Sequence, residues 1–384
     1  MTATMSEPMV SVVLPCLNEE AAIGACIQKI QATFAKARID GEIVVCDNGS
    51  TDQSVPIAER LGARVVHQPS RGYGNAYLKG FASARGQYLI MGDADDTYDF
   101  TLIPSLLELL TTQGYDFVTG SRYLNGGHRN ITPLHRIFGN PALTSLLNGL
   151  FGTRYTDVYC GFRGFSRRAY DVIRPLSPGM EFNLELAINA GLAGLRVTEL
   201  PIELAPRKGE SKLRTFRDGW RSLRMMLLYS PNLLFLLPGS LLLVAGFAIH
   251  LAVLLGLVRW DGRPAAGVTG VFATILSVVG FQILSLGLHT KTYSWTRRFD
   301  RHNRSLERFY RRFNLETGLL LGGALLLLGG GVLAGVVIEW LRAAMLPLPR
   351  PEWASLGATL FIIGASTLFS SLFISAMSMQ RQEH

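Results

Sequence analysis

The sequence predicts an α/β domain with a mainly parallel sheet, followed by an interfacial amphipathic helix and a four-helix transmembrane region. Three observations carry this expectation. Short β-branched runs alternate with helix-period segments through the first 125 residues. Polar, glycine-rich loops follow the first four of those runs. Four long apolar stretches fill residues 231–384. Only 17% of the 384 residues are charged and 48% are hydrophobic, whereas about a quarter are charged in an average globular chain. This balance excludes a disordered chain, a collagenous repeat and a small disulfide scaffold. The expected divisions are a soluble domain over 1–213, the interfacial helix over 214–230 and the membrane domain over 231–384.

The elements read in order as follows. Val10–Leu14 is a β-branched strand ending at Pro15, and Glu20–Ala37 has helical period. Glu42–Cys46 and Thr51–Leu61 repeat the strand and helix. Ala63–Gln68 and Gly74–Ala84 do so again. Gln87–Met91 is a fourth strand, followed by a helix over Leu102–Thr112 and a strand over Asp116–Gly120. Such alternation implies βαβ units and a parallel sheet. Ligands of these sheets sit outside the carboxyl ends of the strands, so the segment after each strand is the one to read.

Those segments are Pro15-Cys16-Leu17-Asn18-Glu19-Glu20, Asp47-Asn48-Gly49-Ser50-Thr51-Asp52, Pro69 to Asn75, and Gly92-Asp93-Ala94-Asp95-Asp96-Thr97. No GxGxxG or GxxxxGK[ST] occurs, so neither a dinucleotide fold nor a P-loop is indicated. Asp93 and Asp95, two carboxylates at i and i+2 after a buried strand, can share one hard divalent cation. Mg²⁺ typically takes one or two carboxylates and fills its shell with phosphate oxygens and water, and a diphosphate leaving group needs that neutralisation.

The apolar stretches are Leu233–Val258, Val268–Leu288, Gly318–Leu341 and Ser355–Met377, with 26, 21, 24 and 23 residues. A spanning helix needs about 20. Trp220, Trp260, Trp295, Trp340 and Trp353 all fall near the expected interfaces, as in an aromatic belt. His250 and Gln282 lie inside spans and read as interhelical polar contacts. The 289–316 loop carries eight Lys and Arg, and the loops at 259–267 and 342–354 carry two each. The positive-inside rule places the soluble domain, the 289–316 loop and both termini in the cytoplasm, in a multi-pass plasma-membrane protein. Arg214, Arg217, Arg221 and Arg224 form one stripe on a helix beside Trp220, Leu223 and Leu227, suited to a membrane surface. The net charge of +8 therefore reads as membrane topology plus an anionic ligand, with no role for nucleic acid. Residues 1–10 show no signal-peptide pattern. Cys16, Cys26, Cys46 and Cys160 form no CxxC pair and read as free thiols.

Taken in this order and setting, PCLNEE, CDNGSTD, GDADD, GSR, GFR and RKGESK resemble the family 2 glycosyltransferases with a GT-A fold. Within them the chain is similar to polyprenyl-phosphate glycosyltransferases of the dolichyl-phosphate mannose synthase type, over about residues 8–230. The resemblance implies that Pro15, Leu17, Glu19, Asp47, Asp52, Gly74 and Asn75 bind the nucleotide-sugar, with Asp93. It implies that Asp93 and Asp95 hold Mg²⁺ or Mn²⁺. It implies that Arg122, Arg136, Arg207, Ser211 and Lys212 meet the acceptor phosphate, and that Asp95, Arg122, Arg136, Arg207 and Lys212 carry catalysis. Asp157 and Gly161-Phe162-Arg163 match a further motif shaping the sugar or acceptor pocket. Glu181 and Glu185 are sugar contacts or plain helix charges. Where members often have glutamine two residues after the second aspartate, this chain has Thr97.

The reaction so implied is inverting substitution at the anomeric carbon of a UDP- or GDP-sugar by a polyprenyl-phosphate oxygen of undecaprenyl or dolichyl phosphate. A phosphate monoester, with a second pKa of about 6, is already largely anionic at neutral pH and needs no general base. Membrane lipids are partners, and a homo-oligomer is compatible with the sequence. The alternatives are a transferase acting on a glycerolipid, with Asp157 as its base, one acting on a growing polysaccharide, and a non-catalytic membrane partner. The absence of QxxRW weighs against the polysaccharide synthase.

Overall fold

The structure is a computed structural model that describes residues 7–124, 139–206, 215–230, 232–260, 263–264, 266–296, 314–343 and 350–379. The chain divides into two compact units, Met1–Met226 and Leu227–His384.

The first unit alternates strands and helices as its sequence pattern requires. β1 (Val10–Cys16), α1 (Ile23–Ala37), β2 (Gly41–Asp47), α2 (Ser54–Arg60), β3 (Arg64–His67), α3 (Tyr73–Ser83) and β4 (Tyr88–Met91) follow one another. Then come α4 (Ile103–Thr111), β5 (Phe117–Ser121), α5 (Asn140–Phe151), β6 (Arg163–Ser166), α6 (Arg167–Ile173), α7 (Phe182–Leu192) and β7 (Val197–Pro201). The sheet order is β3-β2-β1-β4-β6-β5-β7. β1 runs parallel to β2 and β4, β2 to β3, and β5 to β7. β6 is antiparallel to both neighbours and is inserted between β4 and β5.

The near-continuous apolar strands are explained by helices on both faces. Val12, Leu14, Ile43, Val45 and Ile90 pack toward α1 and α4. Val13, Val44, Leu89 and Met91 pack toward α3 and α7 through Tyr77, Phe81, Phe182 and Leu186. The period of two along each strand thus feeds two cores at once. It also leaves the strand ends, where the apolar pattern stops, to the polar loops.

Helix α8 (Thr215–Tyr229) carries the chain into the second unit. That unit holds four helices long and apolar enough to cross a membrane: Asn232–Leu254, Gly267–Thr292, Leu315–Arg342 and Pro351–Met377. The first stops four residues before the expected Val258. Gly256 takes φ +66°, its N–H donates to Val253 O at 3.0 Å, and Leu257 N–H donates to Ala252 O at 3.0 Å. Two bonds of this kind satisfy the last carbonyls and end a helix.

The two helical hairpins use the same close contacts. A Cβ added to Gly239 would lie 2.9 Å from Leu284 N and 3.0 Å from Gly280 O. One added to Gly322 would lie 2.9 Å from Leu368 N and 3.0 Å from Gly364 O. Small residues let the backbones approach and pack without a hydrophobic drive. Polar side chains add cross-links: His250 Nε2 to Thr359 Oγ1 at 3.0 Å, and Gln282 Nε2 to Ser366 Oγ at 3.2 Å. Both expected interhelical residues therefore serve as such.

Candidate active site

A cavity of about 300 Å³ opens where β1, β2 and β4 end. Pro15 at the end of β1 and Leu17 and Glu19 from the loop after it line it, together with Asp93 and Asp95 from the fourth loop. Asn48, Arg71, Tyr73 and Met180 complete the wall and were not among the expected site residues.

The loops that form the rim are laced to one another. Asp47 Oδ1 accepts from Ser50 N–H at 2.9 Å, and its Oδ2 lies 3.2 Å from His67 Nδ1. Burial alone would raise the Asp47 pKa; bonds from Ser50, His67 and Gly49 outweigh it and hold the carboxylate below its ordinary value. Asp52 accepts from Glu20 N–H at 3.1 Å and from Ser54 N–H at 3.0 Å, tying the first loop to the second. Asn48 donates to Gln68 O and Ser70 O at 2.8 and 2.9 Å and accepts from Gly72 N–H at 2.7 Å, tying the second to the third. Asp47, Asp52, Gly74 and Asn75 do not line the cavity but brace residues beside it.

The rim on the far side is the segment Ser177–Met180. Glu185, 1% exposed, accepts from Leu176 N–H at 2.9 Å and Ser177 N–H at 2.7 Å. Asn75 N–H donates to Pro178 O at 3.2 Å. A Cβ on Gly74 would fall 2.0 Å from Ser177 O. Gly72, at φ +146°, has Pro178 O 2.2 Å from its own ideal Cβ position. Glu185, expected as a sugar contact or a plain helix charge, is instead seen as a buried tie to the Leu176–Ser177 backbone.

The two aspartates occupy different settings. Asp93 Oδ1 accepts from Tyr73 Oη at 3.0 Å and from Tyr77 Oη at 3.4 Å. Burial, with the Asp93 charge, pushes both phenols well above their ordinary pKa and keeps them donors. Tyr98 Oη accepts from Gly161 N–H at 2.8 Å, and a Cβ on Gly161 would lie 3.2 Å from Asp93 Oδ2. Gly161 thus closes the pocket around Asp93 by having no side chain. Asp95, 5% exposed, accepts from Thr97 Oγ1 at 2.6 Å and Thr97 N–H at 3.2 Å through one oxygen. Thr97, standing where glutamine is common, therefore orients Asp95. The additional acid, Asp96, sits at φ +62° and pairs with Lys29 Nζ at 2.5 Å. Its charge is spent on α1.

Arg122 forms a fork on the fully buried Asp157, with Nε–Oδ2 at 2.5 Å and Nη2–Oδ1 at 2.8 Å. Burial would lower the Arg122 pKa, and the Asp157 charge more than reverses this. The Nη1 group takes no part in the fork. Arg163 is fully buried and donates to Cys160 O, Asn183 O and Val158 O at 2.8, 2.6 and 2.6 Å. Within its motif it is an internal brace that fixes β6 and the start of α7. Arg136, Arg207, Ser211 and Lys212 lie outside the described residues. All four cysteines are free and buried. Among the described residues, no group of three or more His, Cys, Asp and Glu gathers as a metal site.

A carboxylate-bearing cavity at the ends of parallel strands, braced by interlocked loops, fits a glycosyltransferase of the GT-A class. The chain belongs to glycosyltransferase family 2: the "Glycosyl transferase family 2" model matches residues 11–174, and the "Glycosyltransferase family 2 C-terminal transmembrane region" model matches residues 288–378. It is 37% identical to the low-salt glycan biosynthesis hexosyltransferase Agl6 of Haloferax volcanii, over 96% of this chain and 89% of that protein. It is 34% identical to a dolichyl-phosphate hexose transferase of the same organism, over 54% of this chain and 88% of that protein. Among solved structures, glucosyl-3-phosphoglycerate synthase of Mycobacterium tuberculosis with Mg²⁺ and UDP aligns with a TM-score of 0.47 at 25% identity, over 57% of this chain and 79% of that one.

Proposed function

We propose that this glycosyltransferase moves a hexose from a UDP- or GDP-sugar to a polyprenyl phosphate at the cytoplasmic membrane face, with inversion. The observation that carries the reading is the joining in one chain of the Asp93–Asp95 cavity to four helices fit to span a bilayer. The dolichyl-phosphate hexose transferase, similar over 54% of this chain, supports the acceptor class.

The roles follow from the setting of each group. Pro15, Leu17 and Glu19 form the wall against which the nucleotide lies, with Asp47 and Asp52 holding that wall in register. Asp93 and Asp95 would hold a divalent cation. Two hard carboxylates fit Mg²⁺ or Mn²⁺ when phosphate oxygens and water supply the remaining ligands. When bound, the ion neutralises charge on the leaving diphosphate. The nucleophile is a phosphate oxygen, anionic without help. Arg136, Arg207 and Lys212 offset the repulsion between acceptor phosphate and donor diphosphate, with Ser211 and the Arg122 Nη1 group outside the Asp157 fork as hydrogen-bond donors, so that positioning carries the reaction. Asp157 is engaged by both arms of Arg122 and fully buried. It is therefore poorly placed to act as the general base that a hydroxyl acceptor needs, which favours phosphate over a glycerolipid.

The test is purified protein in detergent with undecaprenyl or dolichyl phosphate and a panel of labelled UDP- and GDP-sugars, with Mg²⁺, Mn²⁺ or EDTA. The expected result is metal-dependent entry of one sugar into the lipid phase, lost in Asp95→Ala protein that still inserts. Nucleotide-sugar binding without lipid product would move the reading to another acceptor. Metal-dependent turnover by Asp95→Ala would remove Asp95 from the site.

A further inference from the structure

Asp157 aims Arg122, and a second carboxylate aims Asp157. The fork occupies both Asp157 oxygens, and Arg122 N–H adds a further bond to Oδ2 at 3.2 Å. A side chain holds its partner in one orientation only when its own position is fixed by surrounding contacts. Asp157 lies in residues 152–162, between α5 and β6, where the chain forms no helix or strand of its own.

Glu199 supplies the missing support. It stands on β7, the edge strand of the sheet, in register with Thr119 of β5. Its two oxygens accept from Thr156 N–H at 2.9 and 3.0 Å, and one of them accepts from Asp157 N–H at 3.2 Å. The Thr156 hydroxyl donates to the other at 2.7 Å. That hydroxyl has one proton, so in its 2.5 Å bond with Ser121 Oγ it is Ser121 that donates. Ser121 ends β5 directly before Arg122. The strand end that carries Arg122 and the segment that carries Asp157 are thus tied to one carboxylate on the next strand. Hydrogen bonds to an ionised acceptor are about twice as strong as neutral ones.

Glu199 does not line the donor cavity. It borders a separate hollow of about 500 Å³, together with Tyr155 and Thr198. Any effect of Glu199 on transfer therefore passes through Thr156, Asp157 and Arg122.

We propose that Glu199 is a positioning residue for the acceptor phosphate, holding Thr156 and Asp157 so that the fork presents Arg122 Nη1 to that phosphate. The proposal rests on the acceptor class given above. The experiment uses the full-length protein in nanodiscs and compares the parent with Glu199→Ala and Glu199→Gln. The first readout is modification of arginine by phenylglyoxal, mapped by mass spectrometry. Arg64, held by Glu42 at the opposite edge of the sheet, is the internal control. In Glu199→Ala, Arg122 is expected to react about tenfold faster than in the parent, with Arg64 unchanged. Glu199→Gln keeps an oxygen that can accept from both N–H groups and is expected to restore most of the parent rate. An unchanged Arg122 rate, or equal acceleration of Arg122 and Arg64, overturns the proposal.

Turnover gives the second readout. Glu199→Ala is expected to raise KM for undecaprenyl phosphate about tenfold and to leave KM for the nucleotide-sugar unchanged. A parallel rise in both overturns the proposal. If Glu199→Ala does not fold, Thr156→Val takes its place. Thr156 is exposed, and the change removes only the hydroxyl link. It is expected to shift both readouts in the same direction by about threefold, and no shift in either overturns the proposal. Arginine modification reads the fork without catalysis. A faster Arg122 in variants of a protein that makes no lipid-linked sugar therefore removes the proposed reaction and leaves the linkage. Transfer to the lipid with Arg122 reactivity unmoved does the reverse.

Discussion

At the scale of single residues, the decisive fact is which charges already have partners. Asp96 is neutralised by Lys29, and Asp157 by Arg122. Asp93 and Asp95, which line the cavity, are held from behind by Tyr73 and Thr97. The Arg122–Asp157 fork yields a specific expectation. Arg122→Ala strands a fully buried carboxylate, and removing one partner of a buried pair costs about 3–5 kcal/mol. The melting temperature in detergent should fall, and should fall less for Arg122→Lys, which keeps the charge and loses only the fork. If Arg122→Ala melts like the parent but loses transfer, Arg122 serves the acceptor and the fork is not structural. The aspartate pair was legible in the sequence because it is local: two carboxylates two residues apart after an apolar run. The fork was not, since its members lie 35 residues apart and nothing in either motif names the other.

At the scale of elements, the parallel strands β1 to β4 and the helices between them follow directly from period and loop composition. β6 does not. It is four residues long and antiparallel, and it separates β5 from β4. That placement is a long-range pairing with no local signature. The rim segment Ser177–Met180 was equally hidden, because two elements distant from each other in sequence fix it: α3, through Gly74, Asn75 and the preceding Gly72, and α7, through Glu185. Gly74→Ala tests this arrangement. The added methyl would fall 2.0 Å from a carbonyl oxygen, so the first turn of α3 or the Met180 segment must move. A displacement of about 1 Å near a reacting centre costs on the order of 10²-fold in rate. The expected outcome is a large fall in kcat/KM for the nucleotide-sugar with insertion and expression retained. Parent-like kinetics would show that the rim moves without cost to the donor site.

At the scale of the whole molecule, four long apolar helices were readable from length and apolarity alone, with ends off by up to four residues: the first stops early at a left-handed glycine, the second runs on to Thr292 and the fourth begins at Pro351. The direction of each span rests on charge: the basic residues of 289–316 against the sparse loops at 259–267 and 342–354. The soluble unit supplies a clean background for testing it. All four native cysteines are buried. Burial is the leading cause that pushes the Cys16 thiol up to about 11 and those of Cys26, Cys46 and Cys160 up to about 12. Thiolate is the reactive form, so none should react with a charged maleimide at neutral pH while the domain is folded. Single cysteines can therefore be added to the parent chain directly. In intact cells Ala265→Cys and Ala344→Cys should label with a membrane-impermeant maleimide, and Ser305→Cys should label only after permeabilisation. Labelling of Ser305→Cys from outside would place the basic loop, and the catalytic unit that shares its side by the parity of the two helices between them, opposite to a cytoplasmic nucleotide-sugar supply. The proposed reaction would then lose its donor at the face where it needs one.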